Sequence, residues 1–194
     1  FRPDYTCWHV ISYNNDGTVE SKQTFQGKND DSSWARGQAW AIYGYTACFR
    51  ETNDSIFLNF AKDIANMIMD RVKTEDAIPY WDYDAPVTKE TPRDVSAASV
   101  TASAMIELST MVPDGQKYLD YAEKILKSLS SDAYLAKVGD NQGFILMHSV
   151  GSLPNGSEID TPLNYADYYY LEALKRFMEL KKLKVENGEL RVIQ

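Results

Sequence analysis

The segment from Asp31 to Trp40 holds the residues whose types and spacing best suit ligand chemistry. Arg36 and Trp40 are four residues apart, so a helix places both side chains on one face. Two serines precede Trp34, and because serine is a favoured N-cap, the sequence predicts a helix over residues 34–51. A helix N-terminus attracts anions, and the planar fork of an arginine matches the two oxygens of a carboxylate. The segment therefore suits an anionic sugar ring between tryptophan walls, or a packed inner helix whose arginine pairs with a neighbouring acid.

Two glycines lie inside this predicted helix, where each costs about 1 kcal/mol relative to alanine. We therefore expect that a close neighbour needs the space at both Gly37 and Gly44. The glycines predict that another group approaches this helix closely.

Three aspartates lie in or directly after a predicted loop over residues 76–93. Asp82 and Asp84 alternate with aromatic residues, so they are candidate acids beside flat apolar groups. Loop aspartates more often make turns and helix caps, and Asp94 stands where an N-cap would open the next helix. For all three, this structural interpretation is favoured over contact with a substrate.

The elements that must position these residues are helices of two kinds. The predicted helices over 54–73 and 116–130 are amphipathic, as helices of an outer layer are. The helix that opens at Asp94 and the helix over 164–180 carry small or aromatic residues all round, which indicates burial on both sides. Inner helices that start near residues 33, 94 and 163 give a repeat of roughly 60–70 residues, which predicts helical hairpins.

Repeated hairpins fit either an open solenoid or an arc of a closed double ring of helices. Loops longer than about 12–15 residues are usually functional, and the loops here are long and aromatic, which favours the ring. Residues 10–19 read as a short strand, a turn and a return. The tail over 183–194 is predicted to be a short strand or a frayed end.

Composition narrows the class of protein. The 194 residues are 44% hydrophobic and 25% charged, which is typical of a globular domain, and no apolar run approaches the ~20 residues of a membrane helix. A net charge of −8 argues against a nucleic-acid-binding protein. Two cysteines cannot make a disulfide framework, and Cys48 is predicted to be a small buried hydrophobe. His9 and His148 do not stand at metal-ligand spacing, so we expect no metal site.

The run Ser33 to Gly44 resembles the signature of the unsaturated glucuronyl hydrolases, glycoside hydrolase family 88. Residues 79–86, 93–98 and 160–174 are similar to further stretches of that family, and the resemblance covers nearly all of residues 5–180. It implies an all-α fold, the (α/α)6 toroid. Residues 1–194 would form a single domain that supplies about the C-terminal half of that toroid, with the catalytic aspartates expected in a missing N-terminal half.

The resemblance also implies which residues bind substrate. The family's sugar-binding positions fall on five residues, and its partner would be an unsaturated uronyl oligosaccharide, with no cofactor. His148 would line the side of the leaving sugar together with Ser149 and Ser152, or else bond to the backbone, and Asp167 is expected to be structural. The five substrate-binding candidates are His9, Gln26, Trp34, Arg36 and Trp40.

The family reaction hydrates a C4=C5 double bond that polysaccharide lyases leave in a uronic acid. The resemblance further implies a bacterial protein of the cytoplasm or periplasm. Three alternatives stay open: a family 105 unsaturated rhamnogalacturonyl hydrolase, a toroid that binds sugar without turnover, and a helical-repeat scaffold. Members of family 105 tend to have Arg-Gly-Asn where this chain has Arg36-Gly37-Gln38.

Overall fold

The computed structural model describes residues 1–186, with side chains described as far as residue 181. Five α-helices form the frame of these residues; one antiparallel hairpin precedes the first helix, and a second lies between the fourth and fifth helices. The elements are β1 Val10–Tyr13, β2 Val19–Gln23, α1 Ala35–Thr52, α2 Ser55–Arg71, α3 Val95–Ser109, α4 Gln116–Leu129, β3 Ser149–Ser152, β4 Ser157–Thr161 and α5 Asn164–Glu186.

Helix α3 is the centre of the packing. Every residue from Val95 to Ile106 is buried, because α1, α4 and α5 all pack against this helix. Its small side chains let three neighbours approach at once, and the Ser99 hydroxyl is satisfied by the Val95 carbonyl one turn back. The prediction that the helix opening at Asp94 is buried on both sides is confirmed.

Helix α4 belongs to the outer layer, as its periodicity predicts. Its buried residues are the apolar ones that recur at intervals of three and four along the helix. They join the main core, which also contains Ile64 and Ile68 of α2. These buried positions are Tyr118, Leu119, Ala122, Ile125, Leu126 and Leu129.

Three predictions about α1 are wrong. No serine caps this helix: its N-cap is Trp34, without a side-chain cap bond, and the Ala35 amide donates to the Trp81 carbonyl at 3.1 Å instead. Cys48 is exposed, because the buried face of α1 follows Ile42 and Thr46 and position 48 lies off that face. At Gly44 an added Cβ would meet nothing within 4 Å.

The prediction for the other glycine of α1 is confirmed. A Cβ at Gly37 would lie 3.2 Å from the Trp34 ring and 3.5 Å from the Cys7 sulfur. Residues near the N-terminus therefore pack directly on the first turns of α1.

The hairpin β3–β4 lies between α4 and α5, and the sequence analysis missed it. The predicted tail element over 183–194 begins inside α5, and residues 187–194 lie outside the described residues. None of the helices that the structure describes is long and apolar enough to cross a membrane. Within the same residues, no group of three or more His, Cys, Asp or Glu side chains is placed to hold a metal ion.

Candidate functional site

The loop over residues 76–93 folds back on the N-terminal ends of α1 and α3. Backbone bridges join Trp34 to Asp82 and Tyr80 to Arg93. The Tyr83 amide donates to the Ser33 carbonyl at 3.0 Å, so the loop also anchors the residue that precedes Trp34. The aromatic loop and the first turn of α1 thus form one hydrogen-bonded unit.

Arg36 lies at the middle of this unit and is almost completely buried, with 3% of its surface exposed. One guanidinium nitrogen, Nη1, donates to Asp94 Oδ2 at 2.9 Å, to Ser96 Oγ at 3.0 Å and to the Val150 carbonyl. The other, Nη2, donates to the Gly151 carbonyl at 2.8 Å. Of the two interpretations of the segment 31–40, the arginine paired with a neighbouring acid is the one that the structure shows.

Two aromatic rings also lie against the Arg36 guanidinium. Its central carbon lies 4.5 Å from the Trp34 ring centroid and 5.3 Å from that of Tyr165. A buried ion pair is stable only when its remaining donors and acceptors are satisfied, and here backbone carbonyls and a hydroxyl do so. Arg36 therefore ties α1, α3 and β3 together.

Asp94 is fully buried and has two tasks. Its Oδ1 accepts from the Ser96 amide at 3.1 Å and from the Ser96 hydroxyl at 2.6 Å, so it caps α3 as predicted. Its Oδ2 is the counterion of Arg36. The same carboxylate therefore fixes both the start of α3 and the position of the arginine.

Gln26 meets Arg36 at one backbone atom. Its side-chain amide donates to the Gly151 carbonyl at 2.8 Å, the same oxygen that accepts from Arg36. Strand β3 is buried throughout, so this oxygen lies inside the site and not on the protein surface. The two predicted substrate ligands are held in register by the hairpin.

His9 also packs on Trp34. Their ring centroids are 4.4 Å apart with a tilt of 33°. His9 Nδ1 accepts from the backbone amides of Phe25 and Gln26, at 3.0 and 3.2 Å, so the neutral ring carries its proton on Nε2. Burial, and then the charge of Arg36, lower the pKa of His9, which keeps the ring neutral near pH 7.

Trp40 lies one helical turn beyond Arg36, in a second aromatic group. It is half-buried and makes edge contacts with Tyr169 at 5.1 Å and Tyr43 at 6.4 Å. These rings cover buried small residues of α1 and α3, among them Ala39 and Ala97. The structure thus joins four of the five predicted ligands directly, and places Trp40 next to them along α1.

The loop aspartates are structural, as the favoured interpretation holds. Asp82 is buried, and its Oδ2 accepts from the Lys28 amide at 2.9 Å and the Ser32 hydroxyl at 2.7 Å. Asp84 accepts from the Ser33 amide at 2.9 Å and from Arg71 at 2.7 Å. Asp82 therefore holds the loop that carries Gln26.

The structure contradicts one interpretation of His148, the ring bonded to the backbone, whereas its place beside the leaving sugar stays a prediction. Its Nδ1 contacts Asp160 Oδ1 at 2.6 Å, so its partner is a side chain of the facing strand and not the backbone. The Ser149 hydroxyl is buried without a hydrogen-bond partner in the part of the chain that the structure describes, and Ser152 Oγ accepts from Asn155 at 2.7 Å. The structural role expected for Asp167 is confirmed, since its carboxylate accepts two backbone amides, at residues 145 and 146.

The sequence analysis missed the contribution of the hairpin to the site. Gly151 supplies the shared carbonyl, and Tyr165 stacks on Arg36 just after the hairpin. The available signal was the Asn155-Gly156 pair, a common hairpin turn, between two short polar runs. Without alternating apolar residues on either side, that signal did not predict strands.

Comparisons with known proteins agree with this architecture, although no family model matches the chain. The chain is 47% identical over 182 residues to an unsaturated glucuronyl hydrolase of Formosa agariphila, covering 93% of this chain and 45% of that protein. A solved unsaturated glucuronyl hydrolase described as specific for heparin is 58% identical, with a TM-score of 0.92, and the match covers 94% of this chain and 50% of that one.

A more distant solved structure contains a ligand. It is an unsaturated glucuronyl hydrolase variant of Streptococcus agalactiae in complex with dGlcA-GalNAc6S, 32% identical with a TM-score of 0.79, and the match covers 91% of this chain and 48% of that one. The chain spans about half the length of the relatives it matches. In sequence and in fold, it corresponds to about the C-terminal half of an unsaturated glucuronyl hydrolase of glycoside hydrolase family 88, an (α/α)6 toroid.

Proposed function

We propose that this chain supplies part of the sugar-binding surface of a glycoside hydrolase that removes unsaturated glucuronic acid from the non-reducing end of oligosaccharides. We call this surface the sugar-binding wall; its residues are His9, Gln26, Trp34, Arg36 and Trp40. The observation that carries the proposal is the joining of His9, Gln26, Trp34 and Arg36 into one connected group at the N-terminal ends of α1 and α3. The relatives that share this architecture bear the name of that activity.

Each wall residue has a distinct task in this proposal. Trp40 offers a half-exposed aromatic face to a sugar ring, and neutral His9 offers its Nε2–H as a donor to a hydroxyl or carboxylate. Arg36 contributes mainly through its position, because its donors are committed to Asp94 and to carbonyls of β3. It holds Trp34 and the hairpin in place behind the substrate.

The reaction begins with a proton from a carboxylic acid to C4 of the vinyl ether. Positive charge then spreads towards C5 and the ring oxygen, water adds at C5, and the hydrated sugar opens and releases the rest of the oligosaccharide. The acid must stay protonated near neutral pH, which an aromatic surrounding favours by raising its pKa. Asp82 and Asp94 do not suit this task, because both are buried and their oxygens already accept hydrogen bonds. We place the acid outside residues 1–194, in the other half of the toroid.

We infer that the substrates come from glycosaminoglycans and that heparin-type oligosaccharides are the first to test. The solved relative described as specific for heparin is 58% identical, whereas the relative solved with dGlcA-GalNAc6S is 32% identical. Such an enzyme would work in the cytoplasm or periplasm of a bacterium, on the products of polysaccharide lyases.

The test is an ultraviolet assay on the complete product of the reading frame that encodes this sequence. Loss of the C4=C5 absorbance of unsaturated heparin disaccharides is expected, and Trp40→Ala should lower kcat/KM at least about tenfold by removing a ring from the wall. Tyr13→Ala is the matched control, because Tyr13 is an exposed aromatic residue of β1.

Two results would contradict the proposal. Constant absorbance with glycosaminoglycan and pectin disaccharides alike would exclude the hydrolase. An equal loss of activity in the Trp40 and Tyr13 variants would exclude this wall as the binding surface.

A further inference from the structure

We propose that Glu158 is a specificity-determining residue that disfavours sulfate on the sugar next to the unsaturated uronate. This inference rests on the proposed function, since it assigns the second sugar of that substrate to the rim formed by β3 and β4. Glu158 lies on β4 and is not among the residues that the sequence pattern singled out.

Glu158 faces Gly151 across the hairpin. The register pairs Val150 with Ile159 and Ser152 with Ser157, which sets residues 151 and 158 opposite each other. A Cβ built on Gly151 would lie only 2.1 Å from Glu158 Oε2, so the carboxylate occupies the space above the glycine. The absence of a side chain at position 151 therefore lets Glu158 fold back across β3.

This position puts the carboxylate beside the wall. The Gly151 carbonyl is the atom at which Gln26 and Arg36 meet, at 2.8 Å each. Burial raises the pKa of the Tyr165 phenol, and the charges of Arg36, Asp94 and Glu158 also act on that group. Glu158 is thus electrostatically coupled to the ring that stacks on Arg36.

The carboxylate is available to a ligand. Glu158 is exposed, and its carboxylate makes no hydrogen bond or ion pair with another side chain or backbone group that the structure describes. Its backbone is in the left-handed region, with φ of +52°, which is uncommon for a residue with a Cβ and found preferentially at functional sites. The charge of Arg36 nearby is offset by its contact with Asp94, so the rim remains negative.

A carboxylate in this place discriminates by charge. It accepts hydrogen bonds from the hydroxyls or the free amine of an amino sugar, but it repels a sulfate ester. Two like charges about 6–8 Å apart in a partly wet site repel enough to change relative affinity roughly three- to tenfold. The repulsion is screened by salt, so the discrimination should shrink as ionic strength rises.

The experiment measures binding to the complete protein by tryptophan fluorescence. The probes are an unsaturated uronyl–N-acetylglucosamine disaccharide and its 6-O-sulfated and N-sulfated counterparts. Glu158→Gln should raise affinity for a sulfated probe relative to the unsulfated one about three- to tenfold at low salt, and less at high salt. Glu158→Gly removes the carboxylate while suiting the left-handed backbone, and it should shift the ratio in the same direction. Glu20→Gln, on exposed β2, is the matched control and should leave the ratio unchanged.

The outcomes separate this inference from the proposed function. Binding with the same ratio in the wild type and Glu158→Gln overturns the role of Glu158 alone. A shift in Glu158→Gly without one in Glu158→Gln also overturns it, because the cause would then be the backbone and not the charge. If the wild type binds none of the probes, the sugar-binding wall itself is refuted and the inference fails with it.

Discussion

Replacing Asp94 with alanine removes an N-cap and the counterion of a buried arginine in one step. Asp94 is fully buried, and Arg36 is 3% exposed. After the change, the guanidinium keeps its contacts with Ser96 and two carbonyls of β3 but loses the one acid that it pairs with among the described residues. An unpaired charge then remains in the interior, where water cannot replace the lost carboxylate.

The magnitude follows from these two losses. Removing one partner of a buried ion pair costs about 3–5 kcal/mol. Losing an aspartate N-cap costs about 1 kcal/mol. We therefore expect Asp94→Ala to lower the free energy of unfolding by about 4–6 kcal/mol, a large part of the total stability of most domains.

The chain offers a matched control in Asp54, the N-cap of α2. Its side chain accepts from the Ile56 amide at 3.0 Å, just as Asp94 accepts from the amide two residues on, but Asp54 is exposed and pairs with no arginine among the described residues. Asp54→Ala should therefore cost only about 1 kcal/mol. Urea unfolding followed by circular dichroism measures both variants.

The double variant Arg36→Met/Asp94→Ala completes the test. Without the arginine there is no buried charge to leave unpaired, so the double variant should be more stable than the sum of the single changes predicts. If Asp94→Ala costs no more than Asp54→Ala, the argument that the ion pair holds the site together is refuted.

Two further predictions concern His9 and the glycines. Because the pKa of His9 lies below its ordinary value of 6.5, its contribution to stability is present above pH 6.5 and is lost as the pH falls through the lowered value. Urea midpoints measured across pH 5–8 should show this loss in the wild type and less of it in His9→Gln. Parallel pH curves for the two proteins would contradict the prediction. Gly151→Ala should displace Glu158 and weaken sugar binding severalfold. Gly44→Ala, where a Cβ meets nothing within 4 Å, should instead stabilise α1 by about 1 kcal/mol. If the two variants have equal effects in thermal unfolding and in sugar binding, the packing argument is contradicted.

The sequence predicts those parts of the structure that local periodicity determines. The apolar face of α4 and the buried, small-residue character of α3 follow from spacing alone, and Asp94 was identified as a cap from its place before α3. The serine cap of α1 was predicted wrongly because both serines bond to the distant loop: Ser32 donates its hydroxyl to Asp82, and the backbone of Ser33 pairs with Tyr83 and Asp84. Local sequence does not encode those partners.

The site itself was predictable as a set of residues but not as a geometry. The family resemblance singled out Arg36 and Gln26, yet it did not indicate that both bind one carbonyl of a hairpin. That hairpin is made of short polar strands, whose pairing depends on the packing of Val150 against Trp34 and Trp81 rather than on an alternating pattern. Such tertiary contacts are not visible in a single sequence.

The contacts of Arg36 also determine when the site assembles. Its partners Asp94, Val150 and Gly151 follow it by 58, 114 and 115 residues, so the loops that must close are long. Contacts between distant segments form late in folding and slow it, because closing the long loops between them costs conformational entropy. During synthesis, α1 and α2 emerge well before the strand that completes the arginine's coordination. The wall is therefore among the last parts of this chain to form, and a chain arrested before residue 151 has α1 to α4 but no site.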